Sequence, residues 1–152
     1  MTVLYVDANA CPVKEEIYRV AGRYGLPVRV VCNSWIRTPP SSTITLVVVE
    51  QGPDMADNWI AERAGAGDVV ITADTPLASR ALAASAQALH PGGRPYTTDN
   101  IGAALASRGI GEHLRSTGEI TGGPRPFAPA DRSRFLQALD AAVVKAKRSA
   151  LR

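Results

Sequence analysis

Four aspartates could do chemistry together: Asp7, Asp54, Asp57 and Asp74. Asp7 directly follows the apolar run VLYV, and Asp74 comes just after DVVIT. Asp54 and Asp57 lie three apart at the head of a helix-like segment, a spacing that puts both on one helix face. Carboxylates brought together repel and raise each other's pKa. A hard divalent cation, Mg²⁺ or Mn²⁺, resolves that conflict. Mg²⁺ takes oxygen ligands, keeps several waters, and needs only one or two direct carboxylates beside a substrate phosphate. Such a site can activate water and neutralise charge on a phosphodiester in transit. All four aspartates are therefore candidate metal-site residues. Asp7 and Asp74 are expected to hold the ion, with Asp57 and Asp54 ordering its water. Asp7, Asp57 and Asp74 are the catalytic candidates.

Each acid also has a plainer reading. Asp54 and Asp57 suit the positive end of a helix dipole. Asp74 could cap the helix that begins at Thr75. Asp7 has the least comfortable structural role, because a carboxylate at the end of a buried apolar strand needs a reason. Asp68 opens its strand at the opposite edge and is left out. Asp99, in TTDN, reads as a helix N-cap.

Substrate-binding candidates surround the acids. Lys14 falls in a helix first turn, where a cation is unfavourable, so a phosphate or carboxylate partner is expected. Asn33 and Arg37, at and beyond the end of the second strand, could touch phosphate. Asn9 joins them as an uncharged oxygen donor. Arg and Lys at such a rim position a polyanion rather than read its sequence. Cys11 lies at a helix N-terminus, which can lower a thiol pKa. It has no evident His partner, and a packed small hydrophobe is the plainer reading. Cys32 reads as core. Arg125, in TGGPRP, could belong to a substrate-covering arm, while Asp131 and Arg132 read as an N-cap and a structural cation. No Walker or dinucleotide-binding glycine loop is present.

These residues need elements to position them. Thr2–Val6, Val28–Cys32, Thr43–Val49 and Asp68–Thr72 read as strands, rich in β-branched residues. Ala86–His90 offers a further short strand. Helices are expected over Pro12–Tyr24, Asp54–Ala64, Thr75–Ser85, Asn100–Ser107 and Arg132–Arg148. Thr117–Pro129 reads as a Gly/Pro-rich loop or arm. Strands alternating with helices argue for a mainly parallel sheet in an α/β fold. Right-handed crossovers then line up the strand carboxyl ends, where ligands sit.

The chain has 152 residues, the size of one ordinary domain. Its 45% hydrophobic and 20% charged content is that of a globular protein. Its net charge of +3 permits a polyanionic partner without requiring one. At 5%, aromatic residues are too few for a base-stacking platform. Two cysteines without metal-ligand spacing point to a reducing compartment. The N-terminus has no signal-peptide pattern, and no apolar run is long enough to span a membrane, so the expected location is the cytoplasm.

The segments VDANACPVK, GPDMADNWI, GDVVITADTPLA and TGGPRP…DR occur in this order along nearly the whole chain. On them the chain is identified as a member of the bacterial YaiI/YqxD family. That family is similar to the PIN-like superfamily, typically metal-dependent ribonucleases built as compact α/β/α sandwiches. The resemblance implies one PIN-like domain over 1–152 with a three-layer sandwich. It also implies that the acid after the first strand is Asp7, the helical acid is Asp57 with Asp54 beside it, and the acid in the strand-to-helix turn is Asp74. The family's opening motif usually reads D-A-D-A-C-P, whereas Asn9 stands at the third position here. An amide can ligate or cap, but it brings no charge.

The expected activity is phosphodiester hydrolysis of RNA dependent on Mg²⁺ or Mn²⁺. A rival is a non-catalytic RNA- or ribonucleoprotein-binding protein that keeps the fold. A third reading, a phosphatase with Asp7 as nucleophile, would normally want a second acid where Asn9 stands.

Overall fold

The computed structural model describes residues 2–8, 11–52, 54–102 and 128–150. Six strands form one sheet: β1 (Leu4–Asp7), β2 (Val28–Cys32), β3 (Ile44–Val48), β4 (Val69–Ile71), β5 (Gln87–Leu89) and β6 (Pro95–Tyr96). Their order is β3-β2-β1-β4-β5-β6. Every neighbouring pair is parallel except β5 with β6. Four helices carry labels: α1 (Lys14–Tyr24), α2 (Met55–Ala61), α3 (Thr75–Ala83) and α4 (Pro129–Ala150). Residues 98–102 are also helical. The fold is a three-layer α/β/α sandwich with a mainly parallel sheet, as the alternation of elements predicts.

Side-chain alternation along the strands sorts the two layers. Leu4, Val6, Val28, Val30, Val69 and Ile71 pack with Ile17 and Val20 of α1 and with Phe135, Leu139 and Val143 of α4. Tyr5, Val31 and Val70 pack on the other face with Ala56 and Ile60 of α2 and Leu77, Ala78 and Ala81 of α3. Both faces of the central strands are covered, so β1, β2 and β4 are near-continuous apolar runs. β3 lies at the edge, and its side chains are only partly covered.

Several element ends differ from expectation for local reasons. β1 runs to Asp7 itself rather than stopping at Val6, because Asp7 pairs with Val31. α1 begins at Lys14, after Pro12, and ends on Gly25 in the left-handed conformation that glycine tolerates (φ 66°). α4 begins at Pro129, three residues before its expected start. Pro129 occupies the first helical position. Asp131 is not the N-cap but sits in the first turn, where Oδ2 accepts the Ala128 amide at 2.9 Å. Asp99 does not cap the helix at 98–102 either. Thr97 does, with Thr97 Oγ1 accepting the Asn100 amide and Asn100 Oδ1 accepting the Thr97 amide. Most of the stretch expected to form the 117–129 arm, including Arg125, lies outside the described residues, as do Asn9 and most of the helix expected over 100–107.

Candidate functional site

The chain runs outward from β1 through β2 to β3, then returns to the far side of β1 to lay down β4. The strand order therefore switches between β1 and β4, and open α/β sheets bind ligands at the carboxyl side of such a point. Asp7 ends β1 there. Asp74 follows β4 and caps α3. Asp7 shares its strand face with Tyr5, so it lies on the α2/α3 side of the sheet.

Thr72 ties the two acids together. Its buried hydroxyl donates to Asp7 Oδ2 at 2.8 Å and accepts the Asp74 amide at 2.9 Å. Asp74 Oδ2 accepts the Leu77 amide at 2.9 Å. Asp74 is thus an N-cap whose carboxyl also neighbours Asp57. Sequence reading passes over Thr72, because a threonine ending DVVIT reads as one more β-branched strand residue. Its signal is a hydroxyl two positions before a capping aspartate. Thr72→Val is expected to lower any activity of the site about tenfold, in line with losing a partner that orients a ligand. It should also cost about 1 kcal/mol by stranding the Asp74 amide. Denaturation alongside an activity assay reads both effects, and unchanged values in both would remove Thr72 from the site.

Asp57, in the first turn of α2, completes the convergence. Burial pushes its carboxyl up to about 7, helped by a hydrogen bond with Asp74 and by the charges of Asp74, Asp7 and Asp54. Among the described residues, every charged neighbour acting on it is an acid. Asp54 is exposed at the N-cap of α2. Its backbone is left-handed (φ 65°), unusual for a residue with a side chain. Its carboxylate makes no capping bond. The four aspartates therefore meet at one edge of the sheet. Among the described residues, as their side chains stand, no group of three or more His, Cys, Asp or Glu is gathered to hold a metal ion.

The Asp57 shift sets a pH dependence. The folded chain binds this proton more tightly than the unfolded chain, so the contribution is fully present below the unfolded value near 4. It is lost as pH rises through about 7. The group is only half-buried, so the effect is discounted to about 1–2 kcal/mol. In EDTA, wild-type stability should fall from pH 5 to pH 8 more steeply than that of Asp57→Asn, measured by urea denaturation. Parallel profiles would show that the acids do not couple.

The expected substrate-binding residues divide. Lys14 Nζ donates to the Cys11 carbonyl at 2.9 Å, which holds the ammonium on the segment that follows Asp7. Lys14 and Arg37 line one groove. Asn33 joins the ends of β2 and β3: its Nδ2 donates to the Glu50 carbonyl, and its own carbonyl accepts Gln51 Nε2. Its part is to brace the rim. Cys11 is buried, and burial pushes its thiol up rather than down, so the activation that a helix N-terminus suggests is outweighed. Cys32 is core, as expected. Asp68 accepts the Val3 and Gly65 amides at the amino edge, consistent with its exclusion. Arg132 is structural, bonded to Glu16 and the Pro12 carbonyl. Among the described residues no helix is long and apolar enough to cross a membrane.

Comparison with known proteins bears on the whole chain. The family model described as an uncharacterised YaiI/YqxD family matches residues 5–145. A UPF0178 protein of Caulobacter sp. is 68% identical over 148 residues, 97% of this chain and 98% of the relative. One of Caulobacter vibrioides is 61% identical over 152 residues, 100% and 99% of the two chains. One of Rhodopseudomonas palustris is 54% identical over 148 residues, 97% and 96%. No solved structure matches. On the family match and these near full-length relatives, the chain belongs to the YaiI/YqxD family.

Proposed function

We propose that this chain is a metal-dependent phosphodiesterase acting on RNA. The observation that carries the reading is Asp57, a half-buried carboxyl raised to about 7 by burial and by the neighbouring Asp74, Asp7 and Asp54. Acids so arranged fit a divalent ion in their chemistry. The hydrogen bond from Asp57 to Asp74 and the repulsion among these acids mark a place where positive charge would be favourable. Mg²⁺ needs few direct carboxylates, so a site completed by water and substrate phosphate does not require three protein ligands already in place. When bound, such an ion neutralises phosphodiester charge and acidifies water.

The chain's own residues divide the remaining work. Asp7 and Asp74, each steadied by a hydrogen bond at Oδ2, would hold the ion. Asp57 and Asp54 orient the attacking water. Lys14 and Arg37 steady the backbone of the substrate. The resemblance of the family to PIN-like nucleases supports the same reading by fold analogy, which does not fix activity.

The test is cleavage of a labelled single-stranded RNA by purified protein, in EDTA and then in Mg²⁺ or Mn²⁺. Cleavage that appears only with the ion supports the reading. Two observations favour the rival, a non-catalytic RNA- or ribonucleoprotein-binding protein: Asn9 in place of an acid, and no ready-made ligand triad among the described residues. Salt-sensitive RNA binding without turnover in either ion would select the rival.

A further inference from the structure

We propose that the groove between the first half of α1 and the loop after β2 seats one nucleotide unit of a single-stranded RNA whose adjoining phosphate reaches the acids. The inference rests on the nuclease reading and names where its substrate strand lies.

The groove encloses about 430 Å³ and is lined by Lys14, Glu15 and Tyr18 of α1 and by Arg37, Pro39 and Pro40 of the loop. The groove starts from the carboxyl edge and runs along the α1 face, since the loop leaves the carboxyl end of β2 and returns to the amino end of the parallel strand β3. α1 follows β1, the loop follows β2, and these two strands are neighbours. Tyr18 and Ile36 pack against the cluster on the α1 face, whereas the acids lie on the α2/α3 face. A strand crossing the carboxyl end of β1 meets the groove on one side and Asp7 on the other.

Chemistry narrows the occupant. Lys14 and Arg37 outweigh Glu15, leaving the groove cationic, as a backbone phosphate requires. The Lys14 ammonium is anchored to the Cys11 carbonyl, so its charge is held in place. The Tyr18 hydroxyl is sealed from solvent and has no hydrogen-bond partner among the described residues, so the groove does not meet that hydroxyl. With Pro39 and Pro40 opposite, the walls are suited to the flat face of a base or a sugar. The volume lies at the small end of ligand clefts, roughly 300–1,000 Å³. That suits one nucleotide and excludes a duplex. A single aromatic ring serves one base, not a run of stacked bases.

The experiment is fluorescence anisotropy of a 5′-fluorescein six-nucleotide RNA with the full chain in EDTA, where cleavage is off. Arg37→Ala and Lys14→Gln should each weaken binding about tenfold and lower the salt slope by about one. Arg19→Ala removes the same charge from an exposed α1 position outside the groove and should change affinity less than about twofold. Wild-type affinity in both Arg37→Ala and Lys14→Gln overturns the groove, even if Asp7→Asn abolishes cleavage. Displacement of the RNA by a hexaglutamate peptide as readily as by unlabelled RNA also overturns it, in favour of an acidic peptide. Selective loss in Arg37→Ala and Lys14→Gln, with no wild-type cleavage in any divalent ion, keeps the groove and discards the nuclease.

Discussion

Asp7→Asn is expected to lower metal-stimulated RNA cleavage on the order of a hundred- to a thousandfold, the scale of losing one well-placed electrostatic contact to the reacting centre. Stability should not fall with it. The amide is isosteric, and its carbonyl oxygen can still accept the Thr72 hydroxyl that now reaches Oδ2 at 2.8 Å. Removing the charge also relieves Asp57, whose carboxyl is raised in part by Asp7. The variant should therefore melt at or slightly above the wild-type temperature. That combination separates a functional acid from a structural one, since a structural acid would lose stability and activity together. Gel analysis of a labelled single-stranded RNA in Mn²⁺, beside a thermal melt of the same preparation, reads both. Equal cleavage by wild type and variant would trace the activity to a contaminant or to another site.

The acids could be read from sequence because their chemistry coincides with the backbone pattern. VLYV and DVVIT are strands by composition, and each leads to an aspartate at its carboxyl end. Parallel topology then brings the two ends together. Thr72, Asp54 and Cys11 show where such reading stops. A threonine in a strand looks the same whether its hydroxyl is idle or bridges two acids. The left-handed backbone of Asp54 has no sequence signature of its own. For Cys11, the local effect of a helix terminus argues one way and burial argues the other, and burial is a tertiary quantity. The competition for the N-cap in TTDN has the same character. Thr97, Thr98 and Asp99 are all competent, and the three-residue spacing from Thr97 to Asn100 settles which one caps.

Stability and site meet at Arg132. From the first turn of α4, its Nη1 donates to Glu16 Oε1 at 2.9 Å and to the Pro12 carbonyl at 3.1 Å. It thus clamps the start of α1, and α1 carries the Lys14 wall of the groove. The Glu16 side chain is only 10% exposed, and its other oxygen is buried without a partner among the described residues. Breaking a buried pair costs more than the pair contributes, because the remaining charge is stranded. Arg132 is partly exposed, so Arg132→Ala should cost about 2–4 kcal/mol, below the full penalty for a sealed pair. If stranded charge is the cause, Glu16→Gln in the same chain should recover about half of that loss, since the amide removes the charge and keeps the shape. Urea denaturation of the wild type, the two single variants and the double variant measures the coupling. Strict additivity would mean that Arg132 acts through the Pro12 carbonyl alone. Recovery would mean that a buried carboxylate in α1 depends on α4 for its counter-charge, and that the groove wall is held from the far end of the chain.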